Sequence, residues 1–197
     1  MSAPSGAEAR LLAGELAVIP TDTVYGIACA VAVPDACARL YALKERPAGQ
    51  PTAVIFGSVA AVEAAIPELA GGPAELLDRV MPGPVTLIVP NPGGRFAHVC
   101  GATPEVIGIR VPVLRDDVLY LANDVGGLVA TSANLRGGPD PSTLAEVPAP
   151  IREAAGFEID GGRLRGAPST VIDVTGEEPV VLREAADSAA LLRRLRA

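Results

Sequence analysis

The sequence predicts an α/β fold in which helices cover a sheet, and two observations carry that prediction. Short apolar segments rich in Val, Ile and Thr recur along the chain with lengths typical of buried strands. Between them lie segments with helical periodicity, one of which opens on Pro34 and Asp35. Because strands and helices mix along all 197 residues, with no repeat or linker, we expect a single domain over residues 1–197.

The first predicted element is a short amphipathic helix at 6–14, and a strand at 16–20 follows it and ends at a turn-rich loop. A second helix covers 34–43 and must end near Arg46, because Pro47 disfavours helical geometry in the residue before it. The other predicted helices span 58–66, 73–80, 115–123 and 187–196. The other predicted strands span 27–33, 52–56, 85–89, 106–111, 127–131, 170–174 and 180–182.

Charge and cysteine content disfavour several classes of protein. The chain carries 16 Lys and Arg against 23 Asp and Glu, a net charge of −7, which disfavours tight non-specific binding of nucleic acid. The three cysteines form no C-x-x-C pair and there is one histidine, so we expect no zinc site and assign no metal ligand to the protein. The cysteine pattern favours a reducing cytoplasm, and no apolar run is long enough to span a membrane.

Polar residues gather in loops next to apolar strands, where open sheets tend to bind ligands. The loop Pro20–Gly26 (PTDTVYG) offers two threonine hydroxyls and a phenol beside a glycine, although an ordinary turn would also explain it. Ser132 and Asn134 stand two residues apart after a buried strand, and a structural turn is again the alternative. Ser169 precedes another buried strand. These hydroxyls and amides are candidates for holding a small polar ligand.

Cations occupy comparable positions. Lys44 and Arg46 lie just before Pro47, and extended geometry there would let both converge on one phosphate group. The alternative is a solvated helix end, where cations favour the helix dipole. Arg110 lies inside an apolar strand, so it is expected to meet an acid from the protein or from a ligand, and Arg183 ends a further strand.

Several common catalytic arrangements are absent from the sequence. Neither a Walker-A loop nor a G-x-G-x-x-G motif occurs, so phosphate binding would not use those cradles. No G-x-S-x-G motif surrounds Ser132, which disfavours a serine nucleophile. His98 is expected to be a loop residue and not a catalyst.

Seven segments, PTDTVYG, LKERP, PGPVT, IRVP, TSAN, PSTVID and LRE, follow one another between about residues 16 and 184. Together they closely resemble the YrdC/TsaC family of threonylcarbamoyl-AMP synthases. The resemblance implies that family's twisted mixed α/β sheet, flanking helices and one large concave cleft.

The resemblance also implies roles for individual residues. The catalytic set would be Lys44, Arg46, Ser132 and Asn134. The threonine-binding set would be Thr23, Arg110, Ser132 and Ser169. The ATP-binding set would be Arg46, Gln50, Val106, Ala130, Asp140 and Arg183. Asp140 stands where the family often has Ser, and Ile55 stands where some members have His.

By the same resemblance, the chain is expected to be an enzyme, a nucleotidyltransferase. It would make threonylcarbamoyl-AMP and pyrophosphate from L-threonine, bicarbonate or CO2 and ATP, with Mg²⁺ accompanying ATP. Because a carbamate nucleophile is already an anion, the reaction needs charge neutralisation and alignment more than a strong base. The expected partner is a transferase complex that moves the threonylcarbamoyl group to an adenosine of tRNA.

Two other functions stay open at this point. Members of the family have been viewed as double-stranded RNA-binding modules, a reading that the acidic charge disfavours here. Related domains also occur in larger carbamoyltransferases, so carbamoyl transfer to another acceptor is the second alternative. Those proteins carry metal-site cysteines, a pattern that this sequence does not show.

Overall fold

A computed structural model describes residues 3–47, 49–185 and 188–197. Within these residues one mixed sheet has the strand order β7-β1-β2-β6-β3-β5-β4-β8-β9. Its strands are β1 Ala17–Pro20, β2 Tyr25–Ala30, β3 Val54–Ile55, β4 Val85–Pro90, β5 Val106–Arg110, β6 Leu128–Ser132, β7 Phe157–Glu158, β8 Thr170–Asp173 and β9 Val180–Arg183. The pairs β1–β7, β3–β5 and β4–β8 are parallel, and the other neighbours are antiparallel.

Helices flank the sheet. They are α1 Ala7–Leu12, α2 Pro34–Leu43, α3 Val59–Ala65, α4 Gly72–Val80, α5 Asp116–Asp124, α6 Ala149–Ala154 and α7 Ser188–Arg196. Helix α2 begins at Pro34, whose fixed φ suits a first helical turn. Helix α3 begins after Ser58, whose hydroxyl accepts the backbone N–H of Ala61 and so satisfies one of the free donors of that helix end.

The two faces of the sheet are covered unequally. A large apolar cluster packs one face against α2, α4 and α7, and it includes Leu40, Leu77 and Leu195. A smaller cluster packs α1 and α5 against the strands near β1, and it includes Leu11 and Leu121. The part of this second face formed by β4, β5 and β8 lines an open cleft.

Strand β4 shows how the sequence builds this division. Its segment VTLIV alternates, so Val85, Leu87 and Val89 point into the large apolar cluster. Thr86 and Ile88 point to the other face and line the cleft. A polar residue inside an apolar strand therefore marks the side of the sheet that meets the cleft.

The predicted α/β class, with a mixed sheet and flanking helices, is confirmed. Most predicted elements lie within two residues of the observed ones, but the strand predicted at 27–33 is displaced. It spans Tyr25–Ala30 because the loop before it is short enough for Tyr25 to pair with Pro20. The last predicted helix is present from Ser188, and residue 187 of that prediction lies outside the described residues.

Two elements were missed, and one was overestimated. Helix α6 and the two-residue strand β7 were not predicted, and the strand predicted at 52–56 is reduced to Val54–Ile55. Such short elements contain too few residues to show periodicity. None of the helices in the described part of the chain combines the length and apolar composition needed to cross a bilayer.

Candidate active site

The open face of the sheet forms a cleft with a volume of about 480 Å³. Its wall contains three arginines, Arg46, Arg110 and Arg183, and two acids, Asp140 and Asp173. Hydroxyls contributed by the wall include Thr21, Thr23, Thr86, Ser132 and Ser169. The cleft wall is therefore cationic and rich in hydroxyls, although the whole chain carries a net charge of −7.

Arg110 at the end of β5 is fixed by the loop between β1 and β2. Its Nη2 donates to Asp22 Oδ1 at 2.5 Å and to Thr23 Oγ1 at 2.8 Å. The side chains of Arg110 and Asp22 are 12% and 10% exposed, so this ion pair is almost buried. The prediction that Arg110 meets an acid is confirmed, and the acid belongs to the protein. Arg110 Nε is buried and has no partner among the described residues.

Asp22→Ala should lower the free energy of unfolding by about 3 kcal/mol, because it leaves the Arg110 guanidinium buried without its counter-charge. Urea unfolding followed by circular dichroism measures this change. Glu178→Ala is the matched control, since Glu178 pairs with Arg196 at the surface with side chains 73% and 56% exposed. That control should leave stability unchanged. Equal stability of Asp22→Ala and the unsubstituted chain would contradict the importance of the buried pair.

Lys44 follows α2 and is buried behind the cleft wall. Its ammonium donates to the backbone carbonyls of Ser132 and Asn134 and to Asn134 Oδ1. An ammonium has three donors, so these bonds use its full capacity. The extended geometry predicted around Lys44 is wrong, because Lys44 has φ −87° and ψ −1° and Glu45 has φ 49°. The turn sends Lys44 behind Ser132, while Arg46 lines the cleft, so the two cations have different neighbours.

Burial lowers the pKa of Lys44 from its ordinary 10.5 to about 8, and Arg46 contributes to this lowering while Asp140 opposes it. Between pH 8 and 10.5 the unfolded chain therefore binds more protons than the folded chain. For this reason the contribution of Lys44 to the free energy of unfolding rises with pH across that window. Lys44 is the only lysine in the sequence. The ¹³Cε resonance of lysine-labelled protein should therefore report it directly, with a midpoint near pH 8.

The same labelled sample in denaturant provides the control, since its lysine should titrate near the ordinary 10.5. A folded-state midpoint equal to that of the denatured sample would show that Lys44 is not desolvated by its surroundings.

Arg46 and Arg183 stand at different places in the cleft. Arg46 Nη2 donates to Pro51 O at 2.7 Å, its Nη1 lies 3.4 Å from Thr131 Oγ1, and its guanidinium lies over the Tyr41 ring. Its Nε is buried without a partner among the described residues. Arg183 is more exposed than Arg46. Both guanidinium groups therefore keep donors that can bind an anion in the cleft.

Ser132 and Asn134 form a local network at the end of β6. The Ser132 hydroxyl donates to Asn134 Oδ1 at 2.9 Å. The Asn134 amide donates to Gly138 O at 2.7 Å and to Asp140 Oδ1 at 3.1 Å. Because its proton is used on Asn134, the Ser132 hydroxyl has only its two lone pairs left for a ligand and acts in the cleft as an acceptor.

The structure brings most of the predicted site residues to one place. The cleft wall contains Thr23, Arg46, Val106, Arg110, Ala130, Ser132, Asp140, Ser169 and Arg183. Lys44, Gln50 and Asn134 are not part of the wall; Lys44 and Asn134 lie behind Ser132, and Gln50 is an exposed loop residue. His98 belongs to a short turn, where its Nε2 lies 3.0 Å from Val31 O, and it does not line the cleft.

Several polar residues at the site were given no individual role from the sequence, among them Thr21, Asp22 and Thr86. Thr21 Oγ1 accepts the backbone N–H groups of Thr23 and Val24 and so shapes the first loop. Asp22 holds Arg110, and Thr86 lines the cleft from β4. Their signal is faint, because Thr21 and Asp22 lie within a loop already rich in polar residues. Thr86 is marked only by its place among apolar neighbours.

Together these features define a class of protein: an α/β domain whose open sheet face presents arginines and hydroxyls suited to anions and small polar molecules. The family model described as "Telomere recombination", which covers the Sua5, YciO and YrdC proteins, matches residues 9–185. The chain therefore belongs to the Sua5/YciO/YrdC family.

Individual relatives agree with this assignment. The chain is 32% identical to a Bacillus subtilis threonylcarbamoyl-AMP synthase over 185 residues, covering 90% of this chain and 51% of that protein. It superimposes on the crystal structure of Pyrococcus abyssi Sua5 complexed with L-threonine with a TM-score of 0.77 and 32% identity, covering 91% of this chain and 53% of that one. Escherichia coli YciO shares the fold, with a TM-score of 0.82, 24% identity and coverage of 94% and 90%. The chain thus spans about half of the B. subtilis and P. abyssi proteins.

Proposed function

We propose that this enzyme is a threonylcarbamoyl-AMP synthase, a nucleotidyltransferase that forms threonylcarbamoyl-AMP from L-threonine, bicarbonate or CO2 and ATP. The main support is the convergence of three arginines and a group of hydroxyls on one cleft of about 480 Å³ in an acidic chain. Guanidinium groups that line such a cleft can bind an anionic ligand through their forked donors. The name of the B. subtilis relative points to the same activity, and the P. abyssi relative was crystallised with L-threonine.

In this proposal, threonine occupies the end of the cleft near Arg110. The Arg110 guanidinium, which lines the cleft and is held by Asp22 and Thr23, pairs with the threonine carboxylate. The hydroxyls of Thr23, Ser132 and Ser169 surround the amino and hydroxyl groups of threonine. The segments that carry Thr23 and Ser132 are joined by a backbone bond from Ala133 N to Tyr25 O at 2.8 Å, so this part of the pocket is preorganised.

The nucleotide occupies the remainder of the cleft. Arg46 and Arg183 neutralise the phosphates, and Mg²⁺ enters as part of the MgATP substrate. The backbone of Val106 and Ala130 faces the nucleotide, and Asp140 lies on the same side. Gln50 stands at the exposed edge of this region. Lys44 acts on the reaction through the Ser132–Asn134 turn, which it binds directly.

The reaction then needs few proton transfers from the protein. The threonine amine adds to CO2, a C–N bond forms, and one proton leaves to give the carbamate; starting from bicarbonate, one water leaves in place of that proton. A carbamate oxygen attacks the α-phosphorus of ATP, and the bond to pyrophosphate breaks. Because charge accumulates on phosphate oxygens in that step, the fixed arginines lower the barrier by electrostatic stabilisation. The nucleophile is already anionic, which agrees with a cleft wall without histidine.

Threonylcarbamoyl-AMP is a mixed anhydride that water hydrolyses, so a transferase must consume it promptly. The proposed consumer is a complex that transfers the threonylcarbamoyl group to an adenosine of tRNA. A cytoplasmic location would bring the enzyme, ATP and tRNA together, and it stays a prediction.

Release of pyrophosphate from MgATP tests the proposal. The full chain should release pyrophosphate only when L-threonine and bicarbonate are both present. Release that ignores threonine would indicate another acceptor, and no release by folded protein would contradict the proposed function.

A further inference from the structure

Two hydroxyls meet in the wall of the cleft where β4 and β8 run side by side. Thr86 lies in β4, and Ser169 immediately precedes β8, which pairs in parallel with β4 through Val85 and Thr170. Their Oγ atoms are 3.1 Å apart, and the residues are 6% and 3% exposed. Both residues line the cleft. A buried hydroxyl pair at the surface of a ligand cleft can offer either a proton or a lone pair to the ligand.

Arg183 contacts the same serine from the neighbouring strand. Its Nε donates to the Ser169 carbonyl and its Nη2 donates to Ser169 Oγ, each at 3.1 Å. These two bonds place the guanidinium beside the serine and fix the position of the hydroxyl oxygen. The Ser169 hydroxyl therefore has one lone pair committed to Arg183.

The remaining capacity of Ser169 depends on Thr86. A serine hydroxyl has one proton and two lone pairs, and one lone pair is already used by Arg183. If Ser169 donates to Thr86, its second lone pair faces the cleft and accepts a hydrogen bond. If Thr86 donates to Ser169, the serine proton is free to donate to a ligand. Rotation of the Thr86 hydroxyl thus decides which role Ser169 takes.

Substrate chemistry calls for both roles in turn, given the proposed function on which this argument rests. The amino group of threonine donates hydrogen bonds. Once the amine has added to CO2, the same end of the molecule carries a carboxylate, whose oxygens only accept. A serine that is fixed in one role would match one of these two states and would leave the other poorly paired.

We propose that Thr86 is a positioning residue that lets Ser169 accept a hydrogen bond from the threonine amino group and then donate one to the carbamate. Arg183 holds the serine oxygen in place during this reversal. In this role Thr86 acts through Ser169, so its loss should weaken threonine binding and slow turnover but leave ATP binding unchanged.

Thr86→Val tests this directly, because valine keeps the branched shape of threonine and removes its hydroxyl. The dissociation constant for L-threonine, measured by calorimetry, should rise about tenfold, and kcat for pyrophosphate release should fall about tenfold, as for one lost hydrogen bond. Thr86→Ser restores the hydroxyl and should stay within about threefold of the unsubstituted chain. The dissociation constant for ATP should be unchanged in both variants.

A second pair of variants, Thr86→Ala and Thr86→Ser, also differs by one hydroxyl and decides the question if valine impairs folding. The inference would be overturned if a variant without the hydroxyl bound threonine and turned over as well as the unsubstituted chain. It would also be overturned if Thr86→Ser were as impaired as Thr86→Val. Failure of the unsubstituted chain to bind threonine at all would instead contradict the proposed function.

Discussion

Lys44→Ala should lower kcat for pyrophosphate release on the order of 10²-fold, because a misplacement of about 1 Å in an aligned site has an effect of this size. The ammonium ties together two carbonyls and the Asn134 amide oxygen behind Ser132. Alanine leaves these acceptors without their donor, and the turn that presents the Ser132 hydroxyl loses its anchor. The apparent KM for ATP should change little, since Lys44 lies outside the cleft wall.

Arg39→Ala is the matched control for that experiment. Arg39 is a cation on α2, the helix that Lys44 follows, but its guanidinium bonds to Gly14 O, away from the cleft. This variant should keep the turnover of the unsubstituted chain. Full activity of Lys44→Ala would show that the Ser132–Asn134 turn holds its position without the ammonium.

Arg46→Ala should lower kcat/KM for ATP on the order of 10²-fold, as loss of a preorganised electrostatic contact to the transition state does. The guanidinium lines the cleft and is held by Pro51 O at 2.7 Å. These features leave it ready to bind a phosphate. Steady-state kinetics with MgATP varied at saturating threonine and bicarbonate measure the change.

Arg136→Ala controls for the loss of one positive charge close to the site. Its side chain is exposed, and its Nη1 lies 3.5 Å from the carbonyl of Glu45, so it is near Arg46 in space but does not line the cleft. It should retain kcat/KM within about twofold, the size of most surface effects. An equal loss in both variants would attribute the effect to general electrostatics and not to a contact made by Arg46.

Much of the fold could be predicted because the strands that build the sheet are apolar and long enough to be distinctive. VTLIV and VIGIR are interrupted by a single polar or small residue, and their burial follows the alternation that this pattern predicts. Phe157–Glu158 forms a strand only because it lies alongside Ala17 and Val18. That pairing depends on the tertiary structure, so the local sequence carries no signal for it.

Most of the residues predicted for the site do line the cleft, but the sequence did not show which of them face it and which lie behind its wall. The segments that resemble the YrdC/TsaC family identified the arginines and hydroxyls of the cleft wall. The direction of Lys44 was not predictable, because the left-handed conformation of Glu45 turns the chain just after the helix, and that conformation is uncommon outside glycine. Asn134 similarly directs its amide to the protein and not to the cleft. The spacing of residues in the sequence shows which residues are neighbours along the chain. Which of their side chains face a ligand is decided by packing.

The proposed product provides the most direct test of this account. The full chain should be incubated with MgATP, L-threonine and ¹³C-bicarbonate, and the products separated quickly and analysed by mass spectrometry. The account predicts an adenylate that contains threonine and one ¹³C atom, formed together with pyrophosphate and absent when threonine is omitted. Nucleotide products without ¹³C and threonine, from protein shown to be folded, would contradict it.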